Sequence, residues 1–392
     1  MPNSDPAFRL NEAQSVFFDY TRGLAALAVL IGHAAELFLR NNPLHSAGIQ
    51  VGGVFVFFLL SGFLIAYSVF RRYDDPTYSF RHFFIDRFAR IFTAFIPALL
   101  LVALADHYIL SLPAPPPTES TRYIAGLYEN AEWQHWLGNL FMLQDFPIFQ
   151  VARLLHLDGG DWFIRSYGSS APFWTVSIEW WLYMLFGMVV LLRLRRGQPF
   201  PLWQLAILGF VAIEPAYYFV GGVNNCLTLL WLIGMFACLG YKFWPLWCRK
   251  LGWEIGSRRY ILGLILAVLG GLLAMAIRLL AIKLDIGTIR FAELQFGLFM
   301  GLALFAFFLL MGCISHVSAW FKTIGTFLAN YSFSLYLTHY TVLTYLYVKT
   351  PVSHAPATFW QAIIYSNLLA IVFWWLFERH YPKVGRWLKS RF

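Results

Sequence analysis

Successive runs of about 20 apolar residues constrain the fold of this chain more than any other feature of its sequence. A helix of that length spans the hydrocarbon core of a bilayer. The chain has 392 residues, of which 59% are hydrophobic and 12% are charged, whereas a soluble domain carries about a quarter charged residues. The sequence therefore predicts an all-α bundle that crosses a membrane many times.

Hydropathy predicts about ten transmembrane helices. The predicted spans are residues 17–38, 51–70, 90–110, 172–192, 203–220, 224–241, 260–282, 292–312, 324–347 and 359–378. We expect residues 1–392 to form a single integral-membrane domain. One long segment outside the membrane, 111–171, separates the third and fourth spans.

The distribution of charge predicts the orientation of the chain. The net charge is +9, but the basic residues lie in short clusters between apolar runs and not along one amphipathic face. This pattern is typical of topology signals and does not indicate a nucleic-acid partner. Because the clusters favour one side and the number of spans is even, we predict that both termini are cytoplasmic.

The four cysteines do not form a metal-binding pattern. Cys226, Cys238, Cys248 and Cys313 have neither paired nor metal-ligand spacing. They lie in or beside predicted helices, where we expect them to be small buried side chains. The sequence predicts no metal site.

The outside segment 111–171 is expected to have its own structure. It opens with SLPAPPPTES, whose prolines cannot continue a helix. YIAGLYENAEWQHWLGNLFMLQ has aromatic and apolar residues at helical spacing, so it is predicted to lie at the interface or over the bundle. HLDGGDWFIRSYGSSAP is a loop whose composition fits sugar binding or an ordinary solvated loop.

The first predicted span, DYTRGLAALAVLIGHAAELF, carries ionisable side chains into the membrane. At about 100° per residue, His33 returns to within about 20° of Arg22, so they share a helix face at about 16 Å separation. Such groups are costly in lipid and generally face a polar cavity. Glu36 lies three residues beyond His33, where it can orient the imidazole, and Asp19 stands in the same relation to Arg22. The alternative is a structural histidine with a snorkelling arginine.

The stretch RHFFIDRFARIF, at the mouth of the third span, concentrates positive charge. Arg87 and Arg90 are three residues apart on a helix, so both guanidinium groups can bind phosphate oxygens. Arg71 and Arg72 lie in the same predicted cytoplasmic loop. The pattern indicates an anionic, phosphorylated ligand, or only positive-inside anchoring.

The stretch SSAPFWTVSIEWWLYMLFG places a carboxylate inside the fourth span. Glu179 follows Trp174 and Ser177, and a buried carboxylate is hard to explain by packing alone. Trp180 and Trp181 are predicted to belong to an aromatic belt at the membrane interface.

The ninth span contains a further polar insertion, NYSFSLYLTHY. Its polar side chains are Ser332, Ser334, Tyr336, Thr338 and His339. They fit either a functional site or hydrogen bonds that only hold helices together.

Together these stretches resemble the membrane-bound acyltransferase family 3, O-acyltransferases that modify bacterial surface and periplasmic glycans. FDYTRGLAALAVLIGHA is similar to the family's opening helix, with its Asp-x-x-Arg and Arg-x10-His, and GGVFVFFLLSGFLI to its second span. RFAR matches its Arg-x-x-Arg. FWTVSIEWWLY resembles its Trp-(Ser/Thr)-x-Ser-x-Glu stretch, YSFSLYLTH its Tyr-Ser-x-Tyr-Leu-x-His run, and FERHYPK its closing motif. The matches follow the family order over residues 17–383.

The resemblance implies a function and a location. The donor would be a cytoplasmic acyl-CoA, usually acetyl-CoA, and the acceptor a carbohydrate hydroxyl on the other side of a bacterial inner membrane. His33 would be the catalytic histidine, with Arg22 in the same site, while Arg87 and Arg90 would bind the donor. The family form would be the one without an appended esterase-like domain, and no cofactor would be permanently bound.

We extend these roles to neighbouring residues. Arg71 or Arg72 would help to hold the nucleotide end of the donor. Glu36 or Glu179 would orient the imidazole or bind the sugar. The expected acceptor contacts are Asp19, Trp174, Ser177, Tyr336 and His339.

Other functions fit parts of the pattern. A transporter also uses intramembrane Arg, His and Glu, but the chain has no repeat that relates its halves and no paired helix breaks. A scaffold without chemistry is disfavoured by the ionisable groups in several spans. The acceptor remains open between O-antigen, exopolysaccharide, periplasmic glucan, a lipid-linked sugar and a small molecule, as do acyl length, oligomeric state and the choice between direct transfer and an acyl-enzyme.

Overall fold

The computed structural model describes residues 8–39, 48–115, 122, 124–148, 163–194, 201–222, 226–283, 292–350 and 356–391. All regular secondary structure in these ranges is helical. The α-helices are α1 Glu12–Phe38, α2 Ile49–Phe70, α3 Phe80–Leu110, α4 Ala125–Glu129, α5 Trp133–Leu140, α6 Phe173–Gly187, α7 Leu202–Phe219, α8 Leu227–Lys250, α9 Arg258–Lys283, α10 Ala292–Met311, α11 Ala319–Lys349, α12 Pro356–Leu376 and α13 Tyr381–Arg391. A π-helical stretch, Met188–Leu194, continues α6, and a 3-10 turn, Glu378–His380, precedes α13.

Among the described residues, nine helices are long and apolar enough to cross a membrane. They correspond to nine of the ten predicted spans and confirm an all-α, multi-pass membrane protein. The remaining span forms α11, but its polar residues between 330 and 341 lower its hydropathy below that of the other nine. The side on which the termini lie stays a prediction, as does the assignment of the chain to one domain.

The chain divides into two compact units. The first unit comprises Met1–Gly23, Val54–Tyr78 and Ala216–Ala329, and the second comprises Leu24–Gly53, Ser79–Pro215 and Asn330–Phe392. The first unit contains Arg22 and Asp19 of the predicted site, and the second contains His33, Glu179 and His339.

In the first unit, α1 begins with a reciprocal cap. The Asn11 side chain accepts a hydrogen bond from the backbone N–H of Gln14 at 2.8 Å, and the Gln14 side chain accepts one from the N–H of Asn11 at 3.0 Å. Two otherwise unpaired amide groups are thereby satisfied, as in a capping box. This cap sets where α1 begins, five residues before the predicted span.

Helices α2 and α8 of the first unit pack with their backbones in contact. A Cβ at Gly62 would overlap the carbonyl oxygen of Trp231, and a Cβ at Gly234 would overlap the carbonyl oxygen of Leu59. Small residues allow membrane helices to approach in this way. Each glycine therefore lies against the backbone of the opposite helix.

In the second unit, the aromatic-belt prediction is wrong for Trp180. Its side chain is buried, with edge-to-face contacts to Phe84, Phe88 and Phe92 of α3. Trp181 packs within the protein too, since its Nε1–H donates to the carbonyl oxygen of Met142 at 2.7 Å. These tryptophans hold α6 against its neighbours through the ring contacts of Trp180 and the hydrogen bond of Trp181.

The described part of the outside segment belongs to the second unit. Its residues 124–144 include the two short helices α4 and α5. Asp106 of α3 accepts a hydrogen bond from the N–H of Ser169 at 2.8 Å, and the Ser169 hydroxyl donates to Thr341 of α11 at 2.9 Å. Residues 166–170 are buried, so the solvated-loop alternative is wrong for them, while 156–162 lie outside the described residues.

A tight turn between α5 and α6 contains a half-buried carboxylate with a perturbed pKa. Asp145 adopts a left-handed conformation with φ 57°, and burial raises its pKa to about 6 although Arg165 opposes this. In the unfolded chain the pKa is about 3.9. The folded state therefore binds the proton more tightly, and stability falls as pH rises from about 4 to about 6.

We expect Asp145→Asn to remove this loss, because asparagine keeps the shape, tolerates a positive φ and does not ionise. At pH 7 the free energy of unfolding of the variant should exceed that of the wild type by on the order of 1–2 kcal/mol, so the variant should unfold at a higher temperature. At pH 4 the two proteins should unfold at similar temperatures. Thermal unfolding in detergent measures the difference. The control is Glu129→Gln, which removes an exposed carboxylate on α4. Equal gains at both pH values would contradict the prediction.

Candidate active site

Two histidines meet in the second unit. The Nδ1 of His33 on α1 lies 3.1 Å from the Nε2 of His339 on α11. The ring planes are 11° apart, as expected for an edge-to-edge hydrogen bond. His339 is only 1% exposed, whereas His33 is partly exposed. The predicted catalytic histidine is therefore the partly exposed member of the pair, and its partner is buried.

Aromatic hydroxyl-bearing residues surround this pair. Tyr340 packs edge-on against the His33 ring with centroids 5.0 Å apart. The Tyr336 ring lies 6.0 Å from that of His339, and its hydroxyl is hydrogen-bonded to Thr175 of α6. The Tyr336 hydroxyl also donates to the carbonyl oxygen of Pro172 at 3.1 Å. We call His33, His339, Tyr340, Tyr336 and Thr175 the histidine cluster.

Helix α6 has two polar faces. Thr175 and Glu179 are four residues apart and lie on the face towards Tyr336, with which the Glu179 charge interacts. Glu179 accepts a hydrogen bond from Tyr183 at 3.1 Å. Ser177 is about 160° from Thr175 around the helix. Consequently the structure brings Glu179 next to the histidine cluster and does not bring Ser177 there.

Ser177 instead faces a buried glutamate, Glu214, which is not among the predicted site residues. Its hydroxyl lies 2.7 Å from the carbonyl oxygen of Met142 and 3.1 Å from both carboxylate oxygens of Glu214 on α7. Ser177 and Glu214 are both 0% exposed. A substrate contact at Ser177 would have to displace these partners. The sequence does contain a signal for this residue, because Glu214 is the one acidic residue of the predicted span 203–220.

Glu36, predicted to orient His33, has a partner on α2. Gln50 donates from Nε2 to the Glu36 carboxylate. Gln50 also lies so close to Gly32 that a Cβ there would overlap it. The second unit thus holds Glu36 through α2 and holds His33 through α11.

Arg90, predicted to bind the donor, forms an ion pair. Its Nη1 lies 2.6 Å from Oε1 of Glu378, which is 2% exposed. The other carboxylate oxygen accepts hydrogen bonds from the backbone N–H and hydroxyl of Ser334 on α11, at 3.0 and 2.6 Å. The guanidinium also lies 4.8 Å from the centre of the Tyr381 ring. Arg90 therefore joins α3 to α11 and to the start of α13.

The other arginines that are predicted to bind the acyl-CoA donor have different surroundings from Arg90. Arg87 on α3 of the second unit is partly buried. In the first unit, Arg71 is exposed, and Arg72 stacks on Tyr78 at 4.0 Å and donates to the carbonyl oxygen of Ser68. Their binding of a donor stays a prediction.

The first unit holds the remaining predicted polar residues of α1. Asp19 accepts a hydrogen bond from Thr326 of α11 at 3.1 Å, and its charge interacts with that of Arg22. Arg22 is partly exposed. In the second unit, Trp174 is partly exposed on α6. The predicted acceptor contacts are thus distributed over both units.

The part of the chain that the structure describes contains no group of three or more His, Cys, Asp and Glu side chains suited to a metal ion. Cys226, Cys238 and Cys248 are buried and Cys313 is partly exposed, all as free thiols. The prediction that the cysteines are small packed side chains is confirmed for the three buried ones.

Comparison with known proteins gives partial matches over long stretches. A protein of Rhizobium radiobacter, named Protein 2 in picA locus, is 31% identical over 102 residues, which are 26% of this chain and 51% of that protein. Proteins of Staphylococcus aureus strains COL and MSSA476, whose names propose O-acetyltransferase activity, are 22% identical over 347 residues, 84% of this chain and 50% of theirs. The chain thus spans about half the length of these relatives. No solved structure matches.

A family model described as an acyltransferase domain matches residues 15–379. This range contains the motifs noted from the first span to the YSFSLYLTH run, and the closing FERHYPK stretch extends four residues beyond it. The match covers most of the chain and confirms the resemblance, so the chain belongs to acyltransferase family 3.

Proposed function

We propose that this protein is an O-acyltransferase of the bacterial inner membrane. It moves an acyl group, most simply acetyl, from cytoplasmic acyl-CoA to a carbohydrate hydroxyl on the other side. The supporting observation is that His33 on a membrane helix is partly exposed and is hydrogen-bonded to the buried His339. The family and the names of the Staphylococcus relatives support the reaction class.

In the proposed reaction, His33 is the general base. Its imidazole takes the proton of the acceptor hydroxyl as the oxygen forms a bond to the thioester carbonyl carbon. The carbon–sulfur bond breaks, and the departing CoA sulfur receives the proton from the imidazole. The products are the O-acyl ester and CoA with a free thiol, so the balance needs no other reactant.

Two carboxylates fit supporting roles. Glu36 is held by Gln50 three residues beyond His33, and Glu179 lies next to Tyr336 of the histidine cluster. Either can accept hydrogen bonds from sugar hydroxyls, which carboxylates bind strongly. We assign the acceptor sugar to the part of the histidine cluster next to Glu36 and Glu179, with the sugar ring stacking on Trp174.

The donor phosphates remain outside the hydrocarbon, because their charges are too costly to bury there. Arg87 of the second unit supplies a guanidinium group that can bind two phosphate oxygens at once. The slim pantetheine arm would then extend into the bundle towards His33. The guanidinium group of Arg90 is held in an ion pair with Glu378, so Arg90 supports the donor site mainly by fixing the position of α3.

We expect Arg87→Ala to raise the KM for acetyl-CoA by about 10–100-fold, since a charge-assisted hydrogen bond contributes about 1.5–3 kcal/mol, and to change kcat less. Steady-state kinetics in proteoliposomes at saturating acceptor measures both constants. Arg249→Ala removes an exposed arginine at the end of α8 and is the matched control. Equal KM values for the Arg87 and Arg249 variants would contradict donor binding by Arg87.

A direct assay tests the proposed function. Proteoliposomes containing the purified chain receive acetyl-CoA labelled in the acetyl group, with a glycan extract from the source strain. We expect labelled glycan and an equal amount of free CoA thiol, whereas a transporter would move a solute without releasing CoA. Mass spectrometry of surface glycans from a deletion strain identifies the acceptor. Transport of glycan without CoA release would favour the transporter.

A further inference from the structure

The hydrogen bonds of His339 determine which of its ring nitrogens carries the proton. Its Nδ1 lies 2.9 Å from the carbonyl oxygens of both Leu335 and Tyr336 on the same helix. A carbonyl oxygen only accepts hydrogen bonds, so Nδ1 must be the donor. In a neutral imidazole the other nitrogen, Nε2, then carries a lone pair and accepts.

The tautomer of His339 in turn determines the tautomer of His33. Its Nδ1 faces the accepting Nε2 of His339 at 3.1 Å. Two accepting nitrogens cannot form a hydrogen bond with each other, so Nδ1 of His33 must carry a proton. The lone pair of neutral His33 therefore resides on Nε2, the ring atom remote from His339.

We propose that His339 is a positioning residue that fixes the tautomer of His33 so that Nε2 is the base. This inference rests on the proposed function, in which His33 takes a proton from the acceptor. It replaces the predicted acceptor contact of His339, because that side chain is 1% exposed and its ring nitrogens are engaged by Leu335, Tyr336 and His33.

A neutral histidine that accepts a hydrogen bond from the catalytic histidine affects it differently from a carboxylate in the same position. In a serine–histidine–aspartate triad the carboxylate fixes the tautomer and also stabilises the imidazolium. His339 provides the first effect through a lone pair, without a negative charge. His33 is thereby poised to pass the proton on to the departing sulfur and not to retain it.

Two replacements separate the tautomer role from packing. His339→Phe keeps an aromatic ring but removes the acceptor, whereas His339→Gln keeps an oxygen that can accept from His33 Nδ1–H. We expect the Phe variant to lose about 10²-fold in kcat, within the range for general-base catalysis, and the Gln variant to retain most of it. Thermal unfolding of both variants shows that the difference is not one of folding.

The tautomer itself is measured by ¹⁵N NMR of histidine-labelled protein in detergent. We expect a protonated Nδ1 and an unprotonated Nε2 at His33 in the wild type, assigned by loss of the signal in His33→Gln. A protonated Nε2 at His33 in the wild type would overturn the inference, even if neither His339 variant folds. Equal kcat in the Phe variant and the wild type would overturn it too.

The NMR measurement needs no substrate, which keeps the two hypotheses apart. A wild-type protein that shows the expected tautomer but transfers no acyl group would disprove the proposed function and leave the hydrogen-bond assignment standing. A wild-type protein that transfers acyl groups with the opposite tautomer would disprove the inference alone.

Discussion

We expect His33→Ala to lower kcat for acyl transfer by about 10²–10⁴-fold, the range that a positioned general base contributes. Without the imidazole, the acceptor hydroxyl has to attack while still protonated. Release of CoA by proteoliposomes given acetyl-CoA and glycan measures the effect, with the amount of protein in the membrane matched.

Two further variants test whether the loss of activity is due to the missing basic nitrogen of His33. His33→Gln retains a polar side chain without a basic nitrogen and should be as inactive as His33→Ala. His107→Ala removes an exposed imidazole from α3 in the same unit and should behave as the wild type. Wild-type glycan acetylation by His33→Ala at equal expression would eliminate His33 as the base.

Glu378→Ala is expected to destabilise the fold by about 3 kcal/mol, the lower end of the range for a broken buried pair, because the Arg90 side chain left without its partner is 24% exposed. The loss includes the hydrogen bonds that Ser334 donates to the same carboxylate. Arg90→Ala should cost at least as much, because the carboxylate that it leaves without a countercharge is 2% exposed. The double variant should be less destabilised than the sum of the single variants, since neither charge then remains.

Chemical denaturation in detergent, evaluated as a double-mutant cycle, measures this coupling. The comparison pair is Lys389 with Asp86, which are 2.5 Å apart but 33% and 22% exposed. Lys389→Ala should cost only up to about 1 kcal/mol. Strictly additive effects of the Arg90 and Glu378 variants would show that the two charges do not depend on each other. A raised KM for acetyl-CoA without loss of stability would restore Arg90 as a donor residue.

The helices were largely predictable, because a lipid environment demands long apolar runs whatever the neighbouring helices are. Nine of the ten predicted spans reappear as sufficiently apolar helices among the described residues. The exception, α11, shows the limit of hydropathy. Its polar side chains are tolerated because Ser332, Ser334 and His339 are buried against protein.

The site was predictable only where the information is local. Helical spacing identifies His33 as an unusual residue and suggests Glu36, three residues away, as its partner. The hydrogen-bond partner that the structure gives it is His339, 306 residues further along the chain. In the same way, the spacing of Arg87 and Arg90 suggests a shared ligand, whereas Arg90 pairs with Glu378, 288 residues away.

The two glycine contacts between α2 and α8 have a mechanical consequence. Gly62 and Gly234 each leave room for a carbonyl oxygen of the opposite helix, that of Trp231 and that of Leu59. A side chain at either position would overlap this oxygen, so the two helices would have to move apart. The close spacing of α2 and α8 in the first unit is therefore set by two residues that have no side chain.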